Sequence, residues 1–276
     1  MTRSSTVLIT GATDGLGLGL AQALAADGAD LILHGRSQDR LDRIAARIEA
    51  DGAARPRTVT ADLADLDQVR RMAAELRASE SRLDVLVSNA GIGAGEPDGR
   101  TRRTSTDGHE LRFAVNYLAG FLLTLELLPL LRSSAPARIV NVASLGQAPL
   151  DFGDLMLERD YDGTRAYRQS KLAQIMSGFE LAARLPADEV TVNSLHPATY
   201  MPTKIVRDMT DHSVDTLEQG VAATRRLVTD PELAGTTGRF FNGTGEMRAN
   251  DQAYDSRALH DLWEASLELT GAKSPF

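Results

Sequence analysis

A strand that runs straight into a glycine cluster and then into a helix constrains this chain more than any other feature. Thr6 to Thr10 is a short β-branched and apolar run, as expected of a strand buried on both faces. Gly11-Ala12-Thr13-Asp14-Gly15-Leu16-Gly17 follows at once, and Leu18, Leu20, Ala21 and Leu24 then carry helical spacing. Glycines in that position let a backbone approach a pyrophosphate, which sits well at a positive helix N-terminus. Gly11, Thr13, Asp14, Gly15, Leu16 and Gly17 are therefore the candidate cradle for a dinucleotide.

The alternation then repeats. Asp30 to His34 reads as a strand, Ser37 to Asp51 as a helix, Arg57 to Ala61 as a strand, Asp65 to Arg77 as a helix, and Asp84 to Ser88 as a strand. Repeated strand–helix units form a parallel α/β sheet with right-handed crossovers. Ligands of such sheets bind beyond the carboxyl ends of the strands. Arg36, Asp62 and Asn89 all fall at those ends. The residue about 20 positions past the glycines reads the adenosine ribose, and an acidic side chain there would accept from its 2′-hydroxyl. This chain has Gly35-Arg36-Ser37 instead. A guanidinium with no carboxylate beside it suits a 2′-phosphate, which favours NADP(H) over NAD(H). Asp14 counts mildly against extra phosphate binding.

Further along, Gly93 to Gly108 reads as a polar loop and Asp107 to Leu131 as a long apolar helix. Asn116 sits on that helix, where Asn is a poor former, so it is expected to distort the helix locally and hold a water. Ala137 to Ala143 reads as the fifth strand and delivers Ser144. Leu145 to Gly163 is irregular and leads into a helix carrying Tyr167 and Lys171, four residues apart and so on one helical face. A phenol titrates near 10, and an adjacent ammonium pulls it towards the working range. The pair is a candidate acid/base unit for a carbonyl or hydroxyl oxygen. Val190 to Leu195 reads as the sixth strand, closed by His196-Pro197-Ala198-Thr199. Tyr200 to Asp215 reads as a flap with one short helix. Leu217 to Val228 then reads as a helix, Gly238 to Phe241 as a seventh strand, and Ala253 to Leu269 as a final helix.

Composition narrows the partners. The 276 residues include no cysteine, which excludes disulfides, thiolate catalysis and cysteine-ligated metals, and no metal site is expected. A net charge of −8 argues against nucleic acid and anionic membranes. The apolar run Phe121 to Leu131 is too short to span a bilayer. The expectation is one cytoplasmic domain over residues 1–276 acting on a small molecule.

Thr10-Gly11-x-x-x-Gly15-x-Gly17, Asp62, Asn89-Ala90-Gly91, Asn116, Ser144 and Tyr167-x-x-x-Lys171, in this order, resemble the shorter, non-extended branch of the short-chain dehydrogenase/reductase family. Asp151-Phe-Gly-Asp154, Tyr161-Asp162, Arg165-Ala166-Tyr167-x-Gln169-Ser170-Lys171 and Arg103-Thr104-x-x-Asp107-Gly108 resemble its retinol-dehydrogenase and WW-domain-oxidoreductase-like group. Asn116-Tyr117-Leu118-Ala119-Gly120-Phe121 departs from that group's Asn-His-Leu-Gly-His-Phe, which leaves the substrate open. The resemblance implies a Rossmann-type doubly wound sheet of about seven strands with helices on both faces. It implies hydride exchange between NADP(H) and a carbonyl or alcohol. Tyr167 would be the proton donor, Ser144 the polarising hydroxyl, Lys171 the group lowering the Tyr167 pKa and holding the nicotinamide ribose, and Asn116 the holder of a relay water. Asp62 and Leu63 would flank the adenine, Asn89, Ala90 and Gly91 lie near the adenosine ribose, and Ser37, Pro197 and Thr199 complete the cofactor contacts. Leu145, Tyr161 and Tyr200 would line the substrate, which the mostly apolar walls suggest is lipophilic. Homo-oligomers through the long helices are expected. An epimerase or dehydratase of the extended branch is the lesser enzymatic alternative, disfavoured by the glycine spacing. A dinucleotide sensor without turnover is the non-enzymatic one, disfavoured by the intact Asn116, Ser144, Tyr167 and Lys171.

Overall fold

The computed structural model describes residues 4–95, 99–203, 206 and 212–276. The first half alternates as β1 (Thr6–Ile9), α1 (Gly15–Ala26), β2 (Asp30–Gly35), α2 (Gln38–Ala50), β3 (Arg57–Thr60), α3 (Leu66–Ser79) and β4 (Val85–Ser88). A helix follows in three parts: α4 (Leu111–Phe113), a π-helical turn at Ala114–Leu118, and α5 (Ala119–Ser133). Then come β5 (Ala137–Val142), α6 (Gly163–Arg184), β6 (Val190–His196), α7 (Leu217–Thr229), β7 (Arg239–Asn242), β8 (Gly245–Glu246) and α8 (Ser256–Thr270). The strands form one sheet in the order β3-β2-β1-β4-β5-β6-β7-β8. Seven of them are parallel. The eighth strand is a two-residue antiparallel addition to β7, too short to leave a periodic signal in the sequence.

Why the sheet is covered on both faces is visible in single strands. Val7 and Ile9 of β1 pack into one core with Leu20 and Leu24 of α1, Leu41 of α2 and Leu227 of α7. Leu8, between them, packs into the other with Val69 of α3, Leu122 of α5 and Ile175 of α6. Successive side chains of a strand point to opposite faces, so an all-apolar strand needs helices on both. Polar residues set where the helices start. Ser37 caps α2 by accepting from Arg40 N–H, Asp65 caps α3 from Gln68 N–H, and Asp162 caps α6 from Thr164 and Arg165. At the other end of α8, Gly271 at φ +61° makes the left-handed turn that stops the helix.

Leu111–Ser133 is a continuous 23-residue helical run, long and apolar enough by length and composition to cross a membrane. In this fold 72% of its most apolar window is buried inside the chain. Helix α8 covers part of this run. Trp263 of α8 packs edge-on against Phe121 at 5.2 Å, and Ser266 exchanges a 2.6 Å hydrogen bond with the Tyr117 hydroxyl. The Arg184 guanidinium stacks 4.6 Å above the Trp263 ring. Most of the Phe121–Leu131 side chains are thereby core.

Trp263 is 1% exposed, and removing it leaves a large cavity between α5, α6 and α8. Trp263→Ala is expected to cost about 3–5 kcal/mol, read as a lower urea midpoint. A loss below about 1 kcal/mol would mean that α8 does not share the cooperative core.

Candidate active site

The site begins where β1 and β4 lie side by side and the chain changes its direction of winding. Gly11 at φ +67° and Gly15 at φ +50° take backbone conformations that favour glycine. A Cβ on Gly17 would sit 2.3 Å from the Gly11 carbonyl oxygen, so bare backbone is required where α1 meets the loop. Asn89 holds the loop down. Its amide donates to the Thr10 carbonyl at 2.8 Å and the Gly11 carbonyl at 3.2 Å. The Thr10 hydroxyl accepts from the Asn89 and Ala90 N–H groups at 2.9 and 3.1 Å and donates to Val87 O at 3.2 Å. Asn89 was expected near the adenosine ribose. Its amide is committed to loop carbonyls instead, because part-buried backbone acceptors need donors.

Asp14 caps α1 by accepting Gly15 N–H at 2.7 Å. The N–H groups of Leu16 and Gly17 remain as the N-terminal donors of that helix, which suits an anion. Thr13 packs against Gly35, where a Cβ would come within 2.5 Å of its methyl group. Arg36 is exposed past the end of β2, and Ser37 begins the next helix. Asp62 folds back to accept Ala64 N–H at 3.0 Å, while its own N–H donates to Gln68 at 2.9 Å. Leu63, next to it, is buried. The residues present fit a dinucleotide: paired glycines, free helix N–H donors and a cation at the ribose position.

His34 is a site residue that sequence reasoning passed over as part of an apolar strand. It is 2% exposed. Its Nδ1 accepts Gly11 N–H at 3.3 Å, and Nε2 then carries the proton and donates to Ala61 O at 3.1 Å. Burial pushes its pKa down to about 4. The available signal was a lone histidine closing an otherwise apolar strand.

Ser144 follows β5 and accepts Gly146 N–H at 3.0 Å. Tyr167, half-buried on α6, lies beside Ser144: a Cβ on Gly146 would meet the Ser144 hydroxyl at 3.4 Å and the Tyr167 ring at 3.8 Å. Lys171 lies one turn on, but its Nζ donates to Val142 O at 2.8 Å and Gln174 Oε1 at 3.3 Å. Burial without a counter-charge lowers its pKa to about 8. Burial raises the Tyr167 pKa, opposed by the Ser144 hydrogen bond. Lys171 was expected to lower the Tyr167 pKa. With a pKa of about 8 it still carries most of its charge at neutral pH, one helical turn from the phenol.

Asn116 does distort its helix, at the π-helical turn. Its Oδ1 accepts Ile92 N–H at 2.8 Å, and Nδ2 donates to Ile92 O at 3.1 Å and Ser170 Oγ at 3.0 Å. The side chain therefore fixes the segment after Gly91 to α6.

The Tyr161 hydroxyl donates to Glu110 at 2.9 Å and accepts from Arg112 at 2.5 Å, which braces it against the protein. Arg112, fully buried, also donates to Gly93 O at 3.0 Å and Ala94 O at 2.6 Å, fixing the loop after β4. The Thr199 hydroxyl pairs with His196 at 3.1 Å, and its N–H donates to Asp215 at 2.6 Å. Pro197 is buried beside them. Leu145 and Tyr200 are exposed, 39% and 47%, with Tyr200 at φ +46°. Residues 204–205 and 207–211 of the expected flap lie outside the described residues. Gln147 and Gln252 were not foreseen. Gln147 donates to Ser144 O at 2.9 Å, and Gln252 both accepts from and donates to the Leu150 backbone, at 2.6 and 3.1 Å.

Between pH 8 and 10.5 the unfolded chain keeps a proton on Lys171 that the folded chain has released. Stability therefore rises with pH across that window, and the full cost is present below it. Lys171→Met in the cofactor-free protein is expected to gain up to about 3 kcal/mol at pH 7, with the gain gone by pH 10.5. Urea unfolding at both pH values measures it, and a variant no more stable than wild type at pH 7 contradicts it.

Comparison with known proteins agrees with this geometry. The short chain dehydrogenase family pattern matches residues 5–213. Human retinol dehydrogenase 13 is 34% identical over 291 residues, covering 98% of this chain and 86% of that protein. The WW domain-containing oxidoreductase of Danio rerio is 33% identical, covering 97% of this chain and 69% of that protein. A solved structure from Mycobacterium paratuberculosis superposes with a TM-score of 0.79 at 29% identity, covering 99% of this chain and 95% of that one. A gluconate 5-dehydrogenase structure from Beutenbergia cavernae with bound NADP superposes at 0.70 with 26% identity, covering 87% of this chain and 95% of that one. With a glycine cradle, a Tyr–Ser pair and an Asn-braced helix on one sheet edge, this chain belongs to the short chain dehydrogenase family, in the group that includes the retinol dehydrogenases and the WW domain-containing oxidoreductase.

Proposed function

We propose that this chain is an NADP(H)-dependent oxidoreductase interconverting a lipophilic carbonyl compound and its secondary alcohol. The observation that carries the reading is the placement of the Tyr167 ring and the Ser144 hydroxyl side by side against Gly146, at the same end of the sheet as the glycine cradle. Two hydroxyls so placed can hold one substrate oxygen. Exposed Arg36, with no carboxylate at the end of β2, supports NADP(H) over NAD(H), as does the NADP held by a structural neighbour. The net charge of −8 supports a small-molecule partner over nucleic acid.

The reduced nicotinamide supplies the hydride. Gly11, Gly15 and the N–H groups of Leu16 and Gly17 hold the pyrophosphate, and Arg36 and Ser37 the adenosine phosphate. Ser144 donates to the carbonyl oxygen and polarises it. Tyr167 gives its proton to that oxygen as the carbon is reduced, and takes it back in the oxidative direction. Lys171 in its charged form lowers the Tyr167 pKa, so its own protonation sets how readily the phenol works. Asn116 holds Ile92 and Ser170 in place and fixes α6 beneath the reacting oxygen. Exposed Leu145, Phe152 and Tyr200 present apolar surface at the mouth, which supports a lipophilic substrate.

NADPH consumption over a panel of ketones and aldehydes tests the reading. Tyr167→Phe is expected to lower turnover by about 10²–10⁴-fold while NADPH binding stays within about twofold of wild type. Arg36→Ala is expected to lose a preference for NADPH over NADH of about tenfold or more. Tight NADPH binding with no turnover on the panel, in either direction, would contradict the enzymatic reading. Equal binding of NADH and NADPH would contradict the cofactor.

A further inference from the structure

One imidazole joins the ends of three neighbouring strands. His34 belongs to β2. Its Nδ1 accepts Gly11 N–H, at the end of β1, and its Nε2–H donates to Ala61 O, at the end of β3. The backbone adds a third tie, since Ala12 N–H donates to His34 O at 2.9 Å. Gly11 opens the pyrophosphate loop, Asp62 follows Ala61 at the adenine side, and Arg36 lies two residues past His34. The spacing between these three parts of the cofactor site is set by a ring that itself touches no part of the cofactor's path.

We propose that His34 is a positioning residue for the dinucleotide: its neutral imidazole holds the glycine loop in register with the adenine side, and protonation releases that loop and weakens cofactor binding. The inference rests on the dinucleotide reading above. The mechanism is geometric. A neutral ring offers one acceptor and one donor, which is what Gly11 N–H and Ala61 O require. An imidazolium has two donors, so Nδ1–H would face Gly11 N–H and that bond is lost. Two charged side chains act on the ring: Asp62 favours the charged form and Arg36 opposes it. Burial outweighs both and keeps the ring neutral until the medium is acidic.

NADP⁺ tests this, because it survives acid. Its dissociation constant is measured by calorimetry from pH 3.5 to 8 on wild type, His34→Asn and His34→Leu. Asn retains an acceptor near the Nδ1 position and does not titrate, whereas Leu retains bulk without an acceptor. At pH 7.5 His34→Leu is expected to bind at least about tenfold more weakly and His34→Asn within about threefold of wild type. Dividing the wild-type constant by the His34→Asn constant cancels the titration of the ligand's own phosphate. That ratio is expected to rise at least about threefold as pH falls from 7 to 3.5. A flat ratio, with both variants binding like wild type, overturns the assignment and leaves the dinucleotide reading standing. Should His34→Leu fail to fold, the ratio alone decides. If wild type binds no NADP⁺ at any pH, the dinucleotide reading falls and this assignment with it.

Discussion

The clasp between Thr10 and Asn89 is the interaction on which the rest of the site depends. Where β1 and β4 meet, the helices that follow leave towards opposite faces of the sheet, and a crevice opens beyond the strand ends. A crevice exposes backbone polar groups that the sheet no longer pairs. One hydroxyl and one amide meet that demand. Thr10 Oγ1 serves Asn89, Ala90 and Val87, and the Asn89 amide covers two carbonyls of the loop. The loop is thus held open, with glycine where a Cβ would collide, and the N-terminus of α1 keeps donors for an anion. His34 repeats the same logic one strand over.

A second constraint comes from burying an amine. Lys171 sits among Val142 O and Gln174 Oε1 with no carboxylate partner, and burial alone lowers its pKa to about 8. The fold carries a destabilising group at the position where chemistry wants a charge near a phenol, a familiar trade of stability for activity. Around it the supports are polar. Asn116 ties Ile92 to Ser170, and Gln174 in turn donates to Ser88 O at 3.2 Å. Arg112, Glu110 and Tyr161 brace the loop after β4 from the far side.

How much of this was legible in the sequence follows the range of the interactions. The strand–helix alternation reads correctly to within a few residues, because period and capping are local properties of the chain. Asn116 announced itself as a misfit in a helix, and the helix is distorted there. The bond from Tyr161 to Glu110 spans 51 residues, and no local pattern links them. Lys171 was placed on the correct face, but its carbonyl partner on β5 is 29 residues distant, so its electrostatic state could not be read from spacing. Gln252 reaches Leu150 across 102 residues, and the cover that Trp263 gives Phe121 is likewise a property of packing. Apolar runs of helical spacing look alike whether they face a second copy or a helix of the same chain.

Amide hydrogen exchange with and without NADPH tests most directly whether the β1–β4 crevice is the dinucleotide site. NADPH is expected to slow exchange in peptides covering Gly11 to Leu20 and Ser88 to Ile92, with a smaller effect around Ser144, and to leave α8 unchanged. Protection absent from the first two segments, or confined to α8, would contradict the account at its base.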